Sequence, residues 1–172
     1  MKTRILFALP LIAFALNQSA LAQMEPRAML PKSSSFDTLK SFAGKWEGTT
    51  DEAPGKVVEM NFRVVGDGSA VMLDHKESAT DSMVTLFHPD GSRLLVTHYC
   101  SAHNQPRMKL VSSDPKKLQF AFLDATNLPD PEVGHMHGLT ITVVDADHQV
   151  QEWEYMDHGK SHAGKIELHR VK

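Results

Sequence analysis

The sequence predicts an all-β domain: an antiparallel up-and-down β-barrel of about ten strands, preceded by one short helix. Three observations predict it. Apolar and polar residues alternate with period two, most clearly where Val58, Met60, Phe62 and Val64 interleave with Glu59, Asn61 and Arg63, as in a strand with one buried face. Clusters of turn-forming residues interrupt the alternation again and again, which makes neighbouring strands hairpin partners. After Gly44 no segment of helical period breaks the series, and a meander this long avoids exposed edges most simply by closing. A two-sheet sandwich is the competing architecture.

The elements follow in chain order. The opening MKTRILFALPLIAFALNQSALAQ has Lys2 and Arg4, an apolar run from Ile5 to Leu16, and Ala20-Leu21-Ala22 as a small-residue cleavage signal. It reads as a secretory signal peptide over 1–22. The run is too short for a permanent bilayer span and no later stretch is apolar enough, so a soluble periplasmic or extracellular protein is expected. Cleavage after Ala22 leaves Gln23 first, with no cysteine there to carry a lipid, and loss of Lys2 and Arg4 takes the formal charge from −3 to −5. Residues 23–35, rich in Pro and Ser, read as a flexible leader.

The domain is expected over 36–172. In SFDTLKSFAGKW, Phe36, Leu39 and Phe42 recur at helical spacing, Ser34 or Ser35 can cap the start, and Gly44 can end the helix in a left-handed turn. Strands are expected at roughly 44–50, 56–65, 69–77, 82–88, 92–100, 106–112, 117–123, 138–145, 149–156 and 162–171. Their breaks are Gly66-Asp67-Gly68, Pro89-Asp90-Gly91, Ser113 to Lys116, Asp145-Ala146-Asp147 and Asp157 to Lys160. One connection is longer: Asp124 to Gly134, with Pro129 and Pro131, is expected to lie over one barrel end and gate a cavity.

Composition bounds the rest. The chain has 172 residues and a formal charge of −3, which suits one globular domain and offers no basic footprint for nucleic acid. Its one cysteine, Cys100, excludes an internal disulfide, so stability must come from the core.

The short helix, then Gly44-Lys45-Trp46-Glu47-Gly48, then a meander ending in Lys165-Ile166-Glu167-Leu168-His169-Arg170 resembles the calycin superfamily of lipocalin-like barrels. That resemblance implies that Trp46, two residues after Gly44, packs across the barrel floor with Arg170 over it. Segments such as THYCSAHNQPRM, GHMHGLTITVVDADH and QEWEYMDHGK are similar to those of small exported bacterial proteins of unassigned function, over most of the chain. The strand number is also similar to nitrobindins and fatty-acid-binding proteins, which hold haem or lipid, although no nitrobindin haem-ligand motif is matched.

The candidate site residues come from strand faces. His135 and His137 share the face of Leu139, Ile141 and Val143 if their strand extends back to them. Two imidazoles so spaced can chelate Zn²⁺, Cu²⁺ or Fe, and a third ligand is best sought at His98, in step with Leu94, Val96 and Cys100. His162, in step with Gly164, Ile166 and Leu168, can add another. Against this stand the plainer readings of a polar loop end for the pair and of packed core residues for His98 and Cys100. His75, His88, His103, His148, His158 and His169 read as solvent histidines. Arg107 sits where its fork can hold a carboxylate or a haem propionate, or merely pair with a nearby acid. Trp153 and Tyr155, alternating with Glu152 and Glu154, are expected to line the core or the cavity.

These readings make the chain an exported monomeric barrel that binds a small apolar or amphipathic molecule inside, using His98, Cys100, Arg107, His137, Trp153 and Tyr155. The alternative is a metal or haem barrel, with Zn or haem held by His98, His135 and His137. An isomerase or hydrolase working through the same histidines beside Asp74, Glu77 or Asp124 is a second alternative, although the chain has no nucleophile elbow, phosphate loop or HExxH. A structural or interaction module with a filled core is a third.

Overall fold

A computed structural model describes residues 34–76, 82–112 and 114–172; residues 1–33, which include the expected signal peptide and most of the expected leader, residues 77–81 with Glu77, and Ser113 lie outside them. Helix α1 spans Ser34–Ser41 and buries Phe36 and Leu39. The ten strands are β1 (Gly44–Thr50), β2 (Val57–Val65), β3 (Ala70–Lys76), β4 (Ser82–Asp90), β5 (Arg93–Tyr99), β6 (Gln105–Leu110), β7 (Lys117–Thr126), β8 (His135–Asp145), β9 (His148–Asp157) and β10 (Lys160–Arg170). Each pairs antiparallel with its sequence neighbour, and β1 also pairs with β10, which closes the barrel.

Period-two patterning does most of this. In β2 the residues Val58, Met60 and Phe62 are buried and Glu59 and Arg63 are exposed, so only one register keeps the apolar row inside. The turns use the residues predicted for them. Gly66, Asp67 and Gly68 all have positive φ between β2 and β3, Gly91 does between β4 and β5, and His158 and Gly159 both do between β9 and β10, as a primed hairpin turn requires.

Closure needs close approach at one point. A Cβ on Gly48 would run into the backbone carbonyl of Glu167 on β10, so only glycine lets the first and last strands meet there. The helix then plugs the adjacent end. Phe42, Trp46 and Phe62 form an edge-to-face cluster with ring centroids 5.5–6.4 Å apart, and the Trp46 indole N–H donates to the Phe42 carbonyl at 2.7 Å.

Arg170 lies over that cluster as the calycin resemblance implies, its guanidinium carbon 4.4 Å from the Trp46 ring centroid. Its fork donates to the carbonyls of Ser41 (2.9 Å), Ala43 (2.7 Å) and Ala146 (3.1 Å), and to Asp147 (3.1 Å). One side chain thus satisfies carbonyls left over at the end of α1 and ties helix, first strand, last strand and the β8–β9 turn together.

Some boundaries differ from the sequence expectation. The helix begins at Ser34 and ends three residues before Gly44, which instead opens β1 with φ of 126°. Strand β7 runs on to Thr126, and β8 begins at His135 rather than at 138, so the Pro-rich connection shortens to 127–134. Among the described residues no helix is long and apolar enough to cross a membrane.

Replacing Arg170 by Lys keeps the charge but loses the planar fork. Urea denaturation of Arg170→Lys is expected to show a loss of about 2 kcal/mol or more, the scale of hydrogen bonds to a charged group.

Candidate functional site

The barrel interior is largely filled. Trp46, Phe62, Phe87, Phe120, Met60 and Met108 are among the largest fully buried side chains, and they occupy the helix end and the middle. Toward the other end the inward residues become polar: His75 on β3, Thr85 on β4 and His98 on β5 are all buried, and on β9 a buried polar row runs from Gln149 at the helix end through Gln151 to Trp153.

There a cavity of about 40 Å³ remains, lined by Glu52, His75, Met83, His98, Met136, Trp153 and Ile166. A wider recess of about 190 Å³ adjoins it, sharing Glu52, His75 and Ile166 and adding Thr50, Ala53, Lys56 and Val58. The β1–β2 connection forms one wall of both. Asp51 pins that connection to β10, its backbone N–H donating to the Lys165 carbonyl at 3.1 Å and its carboxylate accepting from the Lys165 N–H at 2.8 Å. This sets the Glu52 carboxyl over Gly164, its carbon 2.5 Å from where a Cβ would stand, so any side chain at 164 would displace it.

His98 is the chemical centre of the cavity. It is 2% exposed, its Nδ1 is 2.9 Å from the Thr85 hydroxyl, and its ring lies 5.0 Å from that of Trp153. Its Nε2 is buried and has no hydrogen-bond partner among the described residues. Burial first, and the nearby His75 second, push its pKa down to about 4, so the ring is neutral at physiological pH. Where the Thr85 hydroxyl donates to Nδ1, the ring hydrogen is on Nε2 and makes it a donor beside the cavity.

Trp153 is fixed by a buried polar ladder along β9. Its indole N–H donates to Gln151 Oε1 at 3.0 Å, and Gln151 Nε2 donates to Gln149 Oε1 at 3.2 Å. The alternation that placed Trp153 inward therefore continues through two glutamines, which orient the indole as one wall.

The structure separates the other predicted site residues. Strand β8 does reach back to His135, but a β-bulge between Met136 and Gly138 leaves His137 without a register partner on β9. The extra residue breaks the alternation, so Met136, not His137, lines the interior cavity. His137 instead lines an outer groove of about 460 Å³ with Gly138, Thr140, Glu152 and Glu154. His135 and His137 remain together: His135 Nδ1 lies 2.7 Å from the Val133 carbonyl, its Nε2 lies 3.2 Å from His137 Nδ1, and the His137 ring stacks on Phe122.

Arg107 is also outside. It pairs in register with Thr97 and Asp124, and both arms of its fork are engaged by the Asp124 carboxylate at 2.5 Å, which raises the Arg107 pKa and lowers that of Asp124. Cys100 stands just past the end of β5, at a turn where its N–H donates to the Asn104 carbonyl. Tyr155 is partly buried at the same barrel end, its hydroxyl against Gly134. Burial raises its pKa, with smaller contributions from Cys100 and Asp157. His162, though in step with Gly164, is exposed at the rim.

His75 corrects the sequence reading. It is buried rather than solvated, because Val71, Leu73 and His75 form one inward row of β3; that row was visible in the alternation. Asn104, also buried, donates from Nδ2 to the Gly134 carbonyl at 2.9 Å, tying the β5–β6 turn to the end of the Pro-rich connection. Glu52 had no periodic signal, since it lies in a loop.

Two cofactor readings meet these dimensions. Among the described residues the cavity of about 40 Å³ is far below the roughly 300–1,000 Å³ of pockets for drug-sized ligands, and as it stands it is too small for haem. Among the described residues no group of three or more His, Cys, Asp or Glu side chains is arranged to hold a metal ion; His98 lies beside Trp153 and Met136, and His135 and His137 lie beside Phe122.

No family model matches the chain, and no curated protein matches its sequence.

The depressed His98 pKa has a consequence for stability. Between about pH 6.5 and 4 the unfolded chain takes up a proton that the folded protein refuses, so His98's contribution is complete above about 6.5 and falls with pH through that window. Comparing urea midpoints at pH 7 and pH 4, the wild type is expected to lose about 3 kcal/mol more than His98→Gln. Equal losses would show that His98 titrates normally.

Proposed function

We propose that this is an exported monomeric barrel of calycin type that binds a small molecule at the end opposite its helix. The single observation that carries the ligand reading is the buried Nε2 of His98, without a hydrogen-bond partner among the described residues, beside a small cavity. An unsatisfied buried donor is costly, and a ligand that brings an acceptor recovers that cost.

The chemistry of the lining selects the ligand class. Met83, Met136, Trp153 and Ile166 take an apolar body, and the His98 N–H takes a carbonyl or carboxylate oxygen. The volume limits the inserted part to a few heavy atoms, with the remainder of the molecule in the recess beside Lys56 and Val58. This is narrower than a lipocalin's usual cargo. The reading of export rests on the signal-peptide pattern of residues 1–22, and the calycin assignment on Gly44, Trp46 and Arg170, whose arrangement agrees with it.

The test is a titration of ¹⁵N-labelled protein with a panel of short aliphatic and aromatic carboxylates and ketones. Acceptor-bearing compounds are expected to shift the His98 imidazole resonances and the Trp153 indole N–H together, and His98→Leu is expected to weaken binding about tenfold, the scale of one lost hydrogen bond in a closed site. If no compound moves either signal, the barrel is a filled module and the proposal fails.

A further inference from the structure

At the helix end of the barrel, on its outer surface, β9 begins and β10 ends with facing histidines. His148 and His169 are register partners. Their Nε2 atoms are 2.9 Å apart and their ring centroids 3.7 Å apart. Leu168 is buried and His169 exposed, so the pair faces solvent, away from the cavity.

The surroundings are acidic. Asp145 Oδ2 lies 3.7 Å from His148 Nδ1, Glu167 stands two residues before His169 on the same face of β10, and Glu47 is the register partner of His169 on β1. The nearby cations already have acids: Lys165 pairs with Glu167 and Arg170 with Asp147.

We propose that His148 and His169 form a two-histidine binding site for a divalent transition metal, Cu²⁺ before Ni²⁺ or Zn²⁺. Two nitrogens 2.9 Å apart, each about 2.1 Å from a shared ion, subtend roughly 90° at it. That is the angle between neighbouring ligands of a tetragonal Cu²⁺ or Ni²⁺ site, and it is narrower than a tetrahedral Zn²⁺ site prefers. Both strands hold their histidines in place without the ion, so the two nitrogens are brought together by the fold. Water fills the remaining positions. With both Nε2 atoms on the metal, each neutral ring carries its hydrogen on Nδ1, and that of His148 faces Asp145, an orienting carboxylate of the kind that supports metal-bound histidine. The bound charge is offset by Asp145, Glu167 and Glu47.

The competing account is a simple N–H···N hydrogen bond between the rings, and a Cu²⁺ titration of tag-free mature protein separates the two. Calorimetry is expected to show one equivalent bound, with an axial electron paramagnetic resonance spectrum carrying coupling from two imidazole nitrogens. His148→Gln and His169→Gln should each weaken binding at least about tenfold, no less than the loss of an outer-shell partner costs, while leaving the circular dichroism unchanged because both rings are on the surface. His158→Gln, at an exposed turn, should leave affinity unchanged. Wild-type affinity in both single variants, or a loss that follows His137→Gln instead, would overturn the proposal.

Discussion

The Arg170 guanidinium is the interaction on which the rest of the barrel depends. It stacks on Trp46 and donates to carbonyls from α1, from the α1–β1 link and from the β8–β9 turn. Those groups come from opposite ends of the sequence, and they meet only when β1 and β10 are paired. Closure removes the two sheet edges that an open meander of ten strands would expose. It also fixes the interior volume, so every inward side chain has to fit the same closed space. Gly48 is the steric side of that bargain, since β10 approaches β1 too closely for any Cβ there.

Once the helix end is plugged by aromatic side chains, the asymmetry of the barrel follows. The edge-to-face cluster of Phe42, Trp46 and Phe62 uses the space at that end, and Phe87 against Phe120 fills the middle. What remains at the far end is small, and it is bordered by groups that need partners. The glutamine ladder of β9 serves Trp153, Thr85 serves His98 Nδ1, and His98 Nε2 is left over. Among the described residues Asn104 Oδ1 and Gln149 Nε2 are left over too, and of the three atoms only His98 Nε2 belongs to a residue that lines the cavity.

The fold was legible in the sequence because its two determinants are local. Alternation in segments such as Val58 to Phe62 fixes the buried face, although Val64, in step with them, is exposed at the strand end, and residues such as His158-Gly159 fix the turns; neither requires knowledge of distant contacts. The site was only partly legible. His98 and Trp153 followed from the same alternation and were found. His75 obeys it equally, yet its short strand ends in charged residues and reads as solvated until β3 is placed in the barrel wall. Arg107 read either as a ligand clamp or as the partner of a nearby acid, and its fork meets Asp124 on the neighbouring strand, a partner that only register identifies. Glu52 reaches Gly164 through a loop pinned by Asp51, for which no period exists.

The bulge at His137 shows how much one residue can redistribute. With unbroken alternation, His135 and His137 would continue the inward row of Leu139 and Ile141 and line the cavity together with His75 and His98. The extra residue puts Met136 in that row instead. The histidines are thereby sorted into three environments with three chemistries. His75 and His98 are buried beside the cavity, where burial keeps His98 uncharged, and His135 is buried apart from it against Phe122. His135 is oriented by the Val133 carbonyl and in turn orients His137 beside the outer groove. His148 and His169 face water among carboxylates, where a cation is welcome. Backbone register rather than residue content thus decides which imidazoles line the cavity.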